Sequence, residues 1–287
     1  MKRGLSKHAS LTLTVIVYLA AAVIGVFAYR MLPFTWQTNL LIADAAATVI
    51  VFIFSVIYKN ASIYDPYWSV QPMFITAAYA LAEGTGGAGA FALLAIFCWG
   101  IRLTGNWVYT FRGYGDYEDW RYIMLREKTG SFYPVINFTG IHMVPTIIVY
   151  ACTLPAVYLI KSGAQLNILS AVFILLSFGS IYLELSADMS MHRFRRSGHG
   201  SFIREGLWKY SRHPNYLGEI SFWWFTGLAL VSVYPDKWYL LFGAFVNTLL
   251  FAFVSIPMAD EHQARKAGYA EYRVSTRALL PVRKQGA

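Results

Sequence analysis

The chain of 287 residues is 57% hydrophobic and only 14% charged, whereas about a quarter of a soluble domain is charged. That composition excludes an ordinary water-soluble globular domain and predicts an all-α integral membrane protein. The formal net charge of +9 calls for no nucleic-acid partner, because Lys and Arg collect in the cytoplasmic loops of membrane proteins as a matter of topology.

Apolar runs near 10–29, 39–58, 68–82, 88–108, 141–160, 166–187, 217–234 and 238–257 approach the ~20 residues that cross ~30 Å of hydrocarbon as a helix. They predict a bundle of about eight transmembrane helices. The first run is longer than the roughly 7–15-residue apolar core of a signal peptide and lacks a small-residue cleavage site after it, so it reads as a retained helix. An even number of crossings with the N-terminus inside leaves only Arg30, Lys161 and Lys237 outside and Arg102 within a span. The N-terminus and C-terminus are therefore both expected to be cytoplasmic. The longer connections 109–140 and 188–216 and the tail 258–287 fall on that side, which is where a ligand is expected. No internal repeat divides the chain, so 1–287 reads as a single multi-span domain.

Before the third run, YDPYWSVQP (64–72) places Asp65 among Tyr64, Tyr67 and Trp68. Asp65 is either a turn cap before Pro66 or a proton donor in an aromatic pocket. Residues 84–89, GTGGAG, satisfy a dinucleotide fingerprint on paper, but they join two spans where a strand–turn–helix unit is required; they read as a turn. In the fourth run Trp99, Arg102, Asn106 and Tyr109 recur at helical spacing on one face. Arg102 either pairs with a carboxylate between helices or aims its planar fork at an anionic ligand. Cys98 and Cys152 lie in different runs without metal-ligand spacing and read as packing residues.

Glu184, Asp188 and His192 repeat every four residues as the sixth run ends, followed by Arg195 and Arg196. Acids can accept hydrogen bonds from ribose hydroxyls and arginines can hold phosphates; the alternative is a solvated helix end with internal ion pairs. In GLWKYSRHPNYLGE (206–219), Pro214 sets a helix start with free backbone N–H groups, an attractor for anions. Arg212 and His213 strengthen it, and Tyr210 and Tyr216 add hydroxyls and ring faces. The tail, Asp260 to Arg277, reads as a polar helical segment, either a basic amphipathic helix on anionic membrane lipid or a source of inward contacts from Glu261 and Tyr272. The six histidines lack the close pairing of zinc sites, and no serine lies in a nucleophile elbow. No metal site is expected.

ELSADMSMHRFRRSG (184–198), GLWKYSRHPNYLGE and YAEYRVSTRALLP (269–281) together resemble the steroid 5-alpha reductase superfamily of membrane enzymes. Its bacterial branch of unassigned function, related to the sterol reductases, is the nearest resemblance, with D-x-Y-W at Asp65, Tyr67 and Trp68 and W-x-x-R-L at Trp99, Arg102 and Leu103. The likeness covers 64–281 and is densest in the C-terminal half, 184–281. It implies NADPH taken from the cytosol and reduction of a carbon–carbon double bond conjugated to a carbonyl, in an apolar, lipid-soluble, steroid- or isoprenoid-like substrate within a bacterial inner membrane. By motif position it assigns Arg102, Asp188, Arg196, Asn215 and Glu219 to the cofactor, and Tyr210, Arg212, His213 and Tyr216 to the same motif block. The local reading adds Asn106, Glu184, Arg195, Glu261 and Tyr272. The family's early Glu and the Tyr on a following helix, which polarise the carbonyl, have no clean match by motif; Asp65 lies near the first and Trp99 stands in place of the second, so Asp65 and Tyr67 are the expected catalytic residues. Isoprenylcysteine carboxyl methyltransferases share RHPNY, an acid resembling Glu261 and G-Y-x-x-Y at Gly268, Tyr269 and Tyr272. They imply S-adenosylmethionine as the alternative cofactor, and a non-enzymatic membrane protein is the remaining reading. The concentration of Arg102, Arg195, Arg196 and Arg212 suits the more anionic NADPH.

Overall fold

The computed structural model describes residues 5–115, 117–198 and 200–281. Its helices are α1 (Lys7–Met31), α2 (Trp36–Ile57), α3 (Tyr67–Glu83), α4 (Gly87–Thr110), α5 (Trp120–Thr129), α6 (Tyr133–Ile136), α7 (Val144–Lys161), α8 (Ile168–Ser197), α9 (Pro214–Val233), α10 (Phe242–Leu250), α11 (Ile256–Ala264) and α12 (Tyr269–Ser275). Among the described residues there is no strand beyond one isolated bridge, Ser211 to Arg277. Side-chain caps fix several starts: Ser6 accepts from the Ala9 N–H and Thr35 from Thr38 N–H, while Asn167 and Ser170 cap each other reciprocally. Each satisfies N–H groups that a helix leaves open at its first turn.

Among the described residues, 7 helical stretches are long and apolar enough to cross a membrane. The expected third span is the difference: α3 has 17 residues, short of the ~20 that a span needs. Ser69 Oγ near its start lies 2.8 Å from Thr104 Oγ1 near the end of α4, so α3 leaves and α4 returns as a hairpin. Leu19, Val23, Phe27, Leu175 and Phe253 are exposed on the long helices, as lipid-facing residues would be. The expected loop 109–140 is largely helical. From Trp120 a 42-residue stretch runs to Lys161, through α5, α6 and a π-helical segment, Asn137–Met143, into α7. The tail is also not one helix, because Gly268, at φ +78°, separates α11 from α12; a left-handed φ suits glycine, which has no Cβ to clash.

The described residues form two compact units. The first takes the chain up to Ile75 together with Leu103–Leu154; the second takes Thr76–Arg102 and the chain from Pro155 onward. In the first unit Val17, Val51, Ile63, Tyr64, Tyr67, Phe111 and Tyr114 share a core. One end of that unit is tied by polar contacts: Lys7 Nζ donates to Val108 O at 2.6 Å, Asn60 Nδ2 to Tyr117 O at 2.7 Å, and Asp119 N to Ser62 Oγ at 2.8 Å.

In the second unit α8 and α9 approach closely because residue 218 is glycine. A Cβ there would stand 2.3 Å from Glu184 Cγ and 2.9 Å from Ser180 O. GTGGAG is a turn in the structure too: Gly86 packs against Gly163, and Ala88 N donates to Ala164 O at 3.0 Å.

Candidate functional site

Among the described residues each unit contains buried polar groups. In the second unit, Arg102 on α4 donates to Asp188 Oδ2 at 2.9 Å and to Glu184 Oε2 on α8. This is the first of the two alternatives for Arg102, pairing with a carboxylate between helices, since a buried charge needs a partner. Asn215, in the first turn of α9, lies within hydrogen-bond reach of Asp188. Glu219, one turn further on, accepts from Trp99 Nε1 at 2.8 Å and from Trp223 Nε1 at 2.7 Å. Arg102 Nε and Asn215 Oδ1 are buried without a hydrogen-bond partner, and the Glu184 carboxyl lies within hydrogen-bond reach of Glu219. Natural interiors leave few such atoms. A donor on Arg102 and an acceptor on Asn215 are left open, and Arg195, exposed, acts on Asp188. Arg195 acts on Lys266, whose ammonium is pushed down by burial and then by that neighbouring guanidinium, so positive charge is concentrated there.

Arg212 and His213 take a different part from the phosphate contacts expected of them. The Arg212 guanidinium donates to Asp260 at 3.2 and 2.7 Å, and to the carbonyls of Arg273 and Thr276. Its bonds to Asp260 hold its pKa above the ordinary value although burial opposes them. His213 Nε2 lies 3.0 Å from Asp260 Oδ1, and the Tyr269 hydroxyl also donates to Asp260. Backbone bonds from Arg212 N to Arg277 O and from His213 N to Ala278 O, both 3.0 Å, complete a clasp between the RHPN segment and the tail. Tyr272, expected to point inward, does so: its hydroxyl donates to Trp208 O, and burial pushes the phenol up to about 12. Glu261 is exposed, and the inward acid is its neighbour Asp260. Tyr210 is exposed, whereas Tyr216 stacks on His213 with centroids 5.1 Å apart. The predicted polar face of α4 is only partly buried, since Trp99 is enclosed but Tyr109 is exposed and Asn106 half-buried.

In the first unit Asp65 accepts from the Tyr122 hydroxyl at 2.5 Å. Burial, and then the nearby Asp119 carboxylate, pushes its pKa up to about 7, so this carboxyl can hold a proton near neutrality. Tyr67 meets an acid that sequence reading passed over: its hydroxyl donates to Asp44 Oδ1 at 3.0 Å, and Gln71 Nε2 donates to Asp44 Oδ2 at 2.8 Å. Asp44 is the one acid of the α2 run and is buried. Acids inside spans are costly and mark functional sites; that signal was available in the sequence. Among the described residues no group of three or more His, Cys, Asp or Glu is placed to hold a metal ion.

A family described as "Protein of unknown function (DUF1295)" matches residues 51–276, well over half of the chain. The chain belongs to that family. No curated protein and no solved structure matches it. The DUF1295 match takes in Tyr67, Arg102, Asn215 and Asp260 and begins after Asp44.

Proposed function

We propose that this DUF1295 protein is a membrane reductase of the steroid 5-alpha reductase-like group, which uses NADPH to saturate a carbon–carbon double bond conjugated to a carbonyl in an apolar, lipid-soluble substrate. The observation that carries the reading is the buried Asp44–Tyr67 pair. The resemblance implies an early Glu and a Tyr on a following helix to polarise the carbonyl, neither with a clean match by motif; Asp44 on α2 and Tyr67 on α3 are an acid–phenol pair that could take that part.

Bound NADPH supplies the hydride. Arg102, Glu184, Asp188 and Asn215 would hold its hydroxyl and amide groups, with Arg195 and Arg196 toward phosphate, a set whose open donor on Arg102 and open acceptor on Asn215 favour a polar ligand. In the first unit, Asp44 carrying a proton donates to the Tyr67 oxygen while Tyr67 donates to the substrate oxygen. Negative charge developing on that oxygen is stabilised in surroundings that exclude water, where a preset donor is worth most. The phenol and carboxyl act as one acid in series. Asp65 and Tyr122 form a second acid–phenol pair in this unit and are the alternative donor.

Native mass spectrometry of the detergent-purified protein tests the cofactor. NADPH should be retained and lost in Asn215→Ala, while retained S-adenosylmethionine without NADPH would replace this reading with a methyltransferase.

A further inference from the structure

The Asp44–Tyr67 pair does not end at Tyr67. The Tyr67 hydroxyl is within hydrogen-bond reach of Thr48. Thr48 Oγ1 lies 3.0 Å from Thr146 Oγ1 on α7, and Thr146 Oγ1 lies 2.9 Å from the Tyr64 hydroxyl. All five side chains belong to the first unit, and all are buried. Tyr64 sits in the connection 58–66, outside the spans, next to half-buried Asp65. In each of these hydroxyl–hydroxyl contacts either oxygen can donate, which is the property a proton wire requires.

Resting on the reductase reading, we infer that Tyr64, Thr146, Thr48 and Tyr67 form a proton relay that recharges Asp44 after each turnover. After the Asp44 proton has followed the Tyr67 proton toward substrate, the pair stands as the structure draws it, with Tyr67 donating to a carboxylate. Tyr67 then gives its proton to Asp44 and takes the Thr48 proton. Thr48 takes the Thr146 proton, Thr146 takes the Tyr64 proton, and Tyr64, itself buried, takes one from a water that the connection must admit. One O–H bond breaks and one forms at each hydroxyl; the net result is a proton on Asp44 and hydroxide released to solvent. Burial pushes the Tyr64 phenol well up, so this entry group rests protonated. Polar groups inside a span are expensive, and chains of them mark proton pathways. Two threonines facing one another between α2 and α7, each with a tyrosine on its other side, are such a chain. His142, its ring 4.7 Å from that of Tyr64 and its Nε2 buried without a partner, lies beside the wire without an observed bond to it.

The test uses Thr146→Val, which removes the middle hydroxyl, and Thr146→Ser, which restores it. With a conjugated ketone of steroid or isoprenoid size that the wild type reduces, Thr146→Val should lower kcat roughly tenfold, less than the about 10²–10⁴ that the proton donor itself contributes, enlarge the solvent deuterium isotope effect and leave KM unchanged; Thr146→Ser should recover both. A wild-type kcat and isotope effect in Thr146→Val overturns the relay. The Tyr Cζ resonance of Tyr67, identified by its loss in Tyr67→Phe, supplies a readout independent of turnover. It should move in Thr146→Val and return in Thr146→Ser, and no movement also overturns the relay. A moved resonance in a protein that reduces no enone would instead overturn the reductase reading and, with it, the use assigned to the wire.

Discussion

Asp44 and Tyr67 stand on successive helices with the Tyr67 hydroxyl 3.0 Å from the Asp44 carboxyl. A carboxyl enclosed in an apolar helix, bonded to a phenol and to the Gln71 amide, holds its two donors in fixed positions. Removing either partner should therefore affect chemistry more than binding. Tyr67→Phe and Asp44→Asn should each lower kcat by about 10²–10⁴, the usual contribution of general acid catalysis, with NADPH affinity unchanged. Steady-state kinetics paired with a cofactor titration separates the two effects.

Arg102 offers a stability prediction. It is enclosed with Glu184 and Asp188, and deleting one partner leaves buried charge without compensation. Arg102→Ala should cost about 3–5 kcal/mol, read as a fall in the detergent-solubilised melting temperature. Arg102→Lys should remain impaired, because an ammonium cannot reproduce the planar two-acid contact.

The tail clasp turns on one carboxylate. Asp260 gathers Arg212, His213 and Tyr269, so Asp260→Asn should loosen the segment beyond Ala264 and speed its cleavage in limited proteolysis. Glu261→Gln, on the exposed neighbour, should leave the cleavage rate near wild type.

Asp65 makes stability depend on pH with a definite sign. Its carboxyl is raised from the ordinary 3.8 to about 7 by burial and by Asp119. The folded state therefore binds more protons than the unfolded state between those values, and the stability this group contributes is lost as pH rises through that window. Melting temperatures measured across the window should fall less with rising pH in Asp65→Asn than in wild type.

Much of this was legible in the sequence. Hydropathy located the long helices, and Pro214 marked the start of α9 with its first turn free of a side-chain cap. The four-residue spacing of Glu184 and Asp188 put both acids on the face that meets Arg102. Helix phase was harder: at Asp260 and Glu261 two adjacent acids differ only in which way the turn faces, and packing against Arg212 decides it. Asp44 stood out as the one acid of its apolar run, but its pairing was hidden for another reason. Its partner Tyr67 is distant in sequence, and no local spacing announces a contact made by folding α3 back beside α2. The π-helical segment at Asn137–Met143 left no mark in composition, so a helix that continues from α6 into α7 read as a loop.

The central claim is hydride transfer from NADPH to an apolar enone. The direct measurement supplies membranes containing the protein with NADPH deuterated at either face of the nicotinamide C4, and with a conjugated ketone of steroid or isoprenoid size. Mass spectrometry then locates the label in the product. One face should deliver deuterium to the β-carbon, and Tyr67→Phe should suppress the product. Absence of label from either face, with a methyl group from S-adenosylmethionine appearing on a lipid instead, would contradict the account.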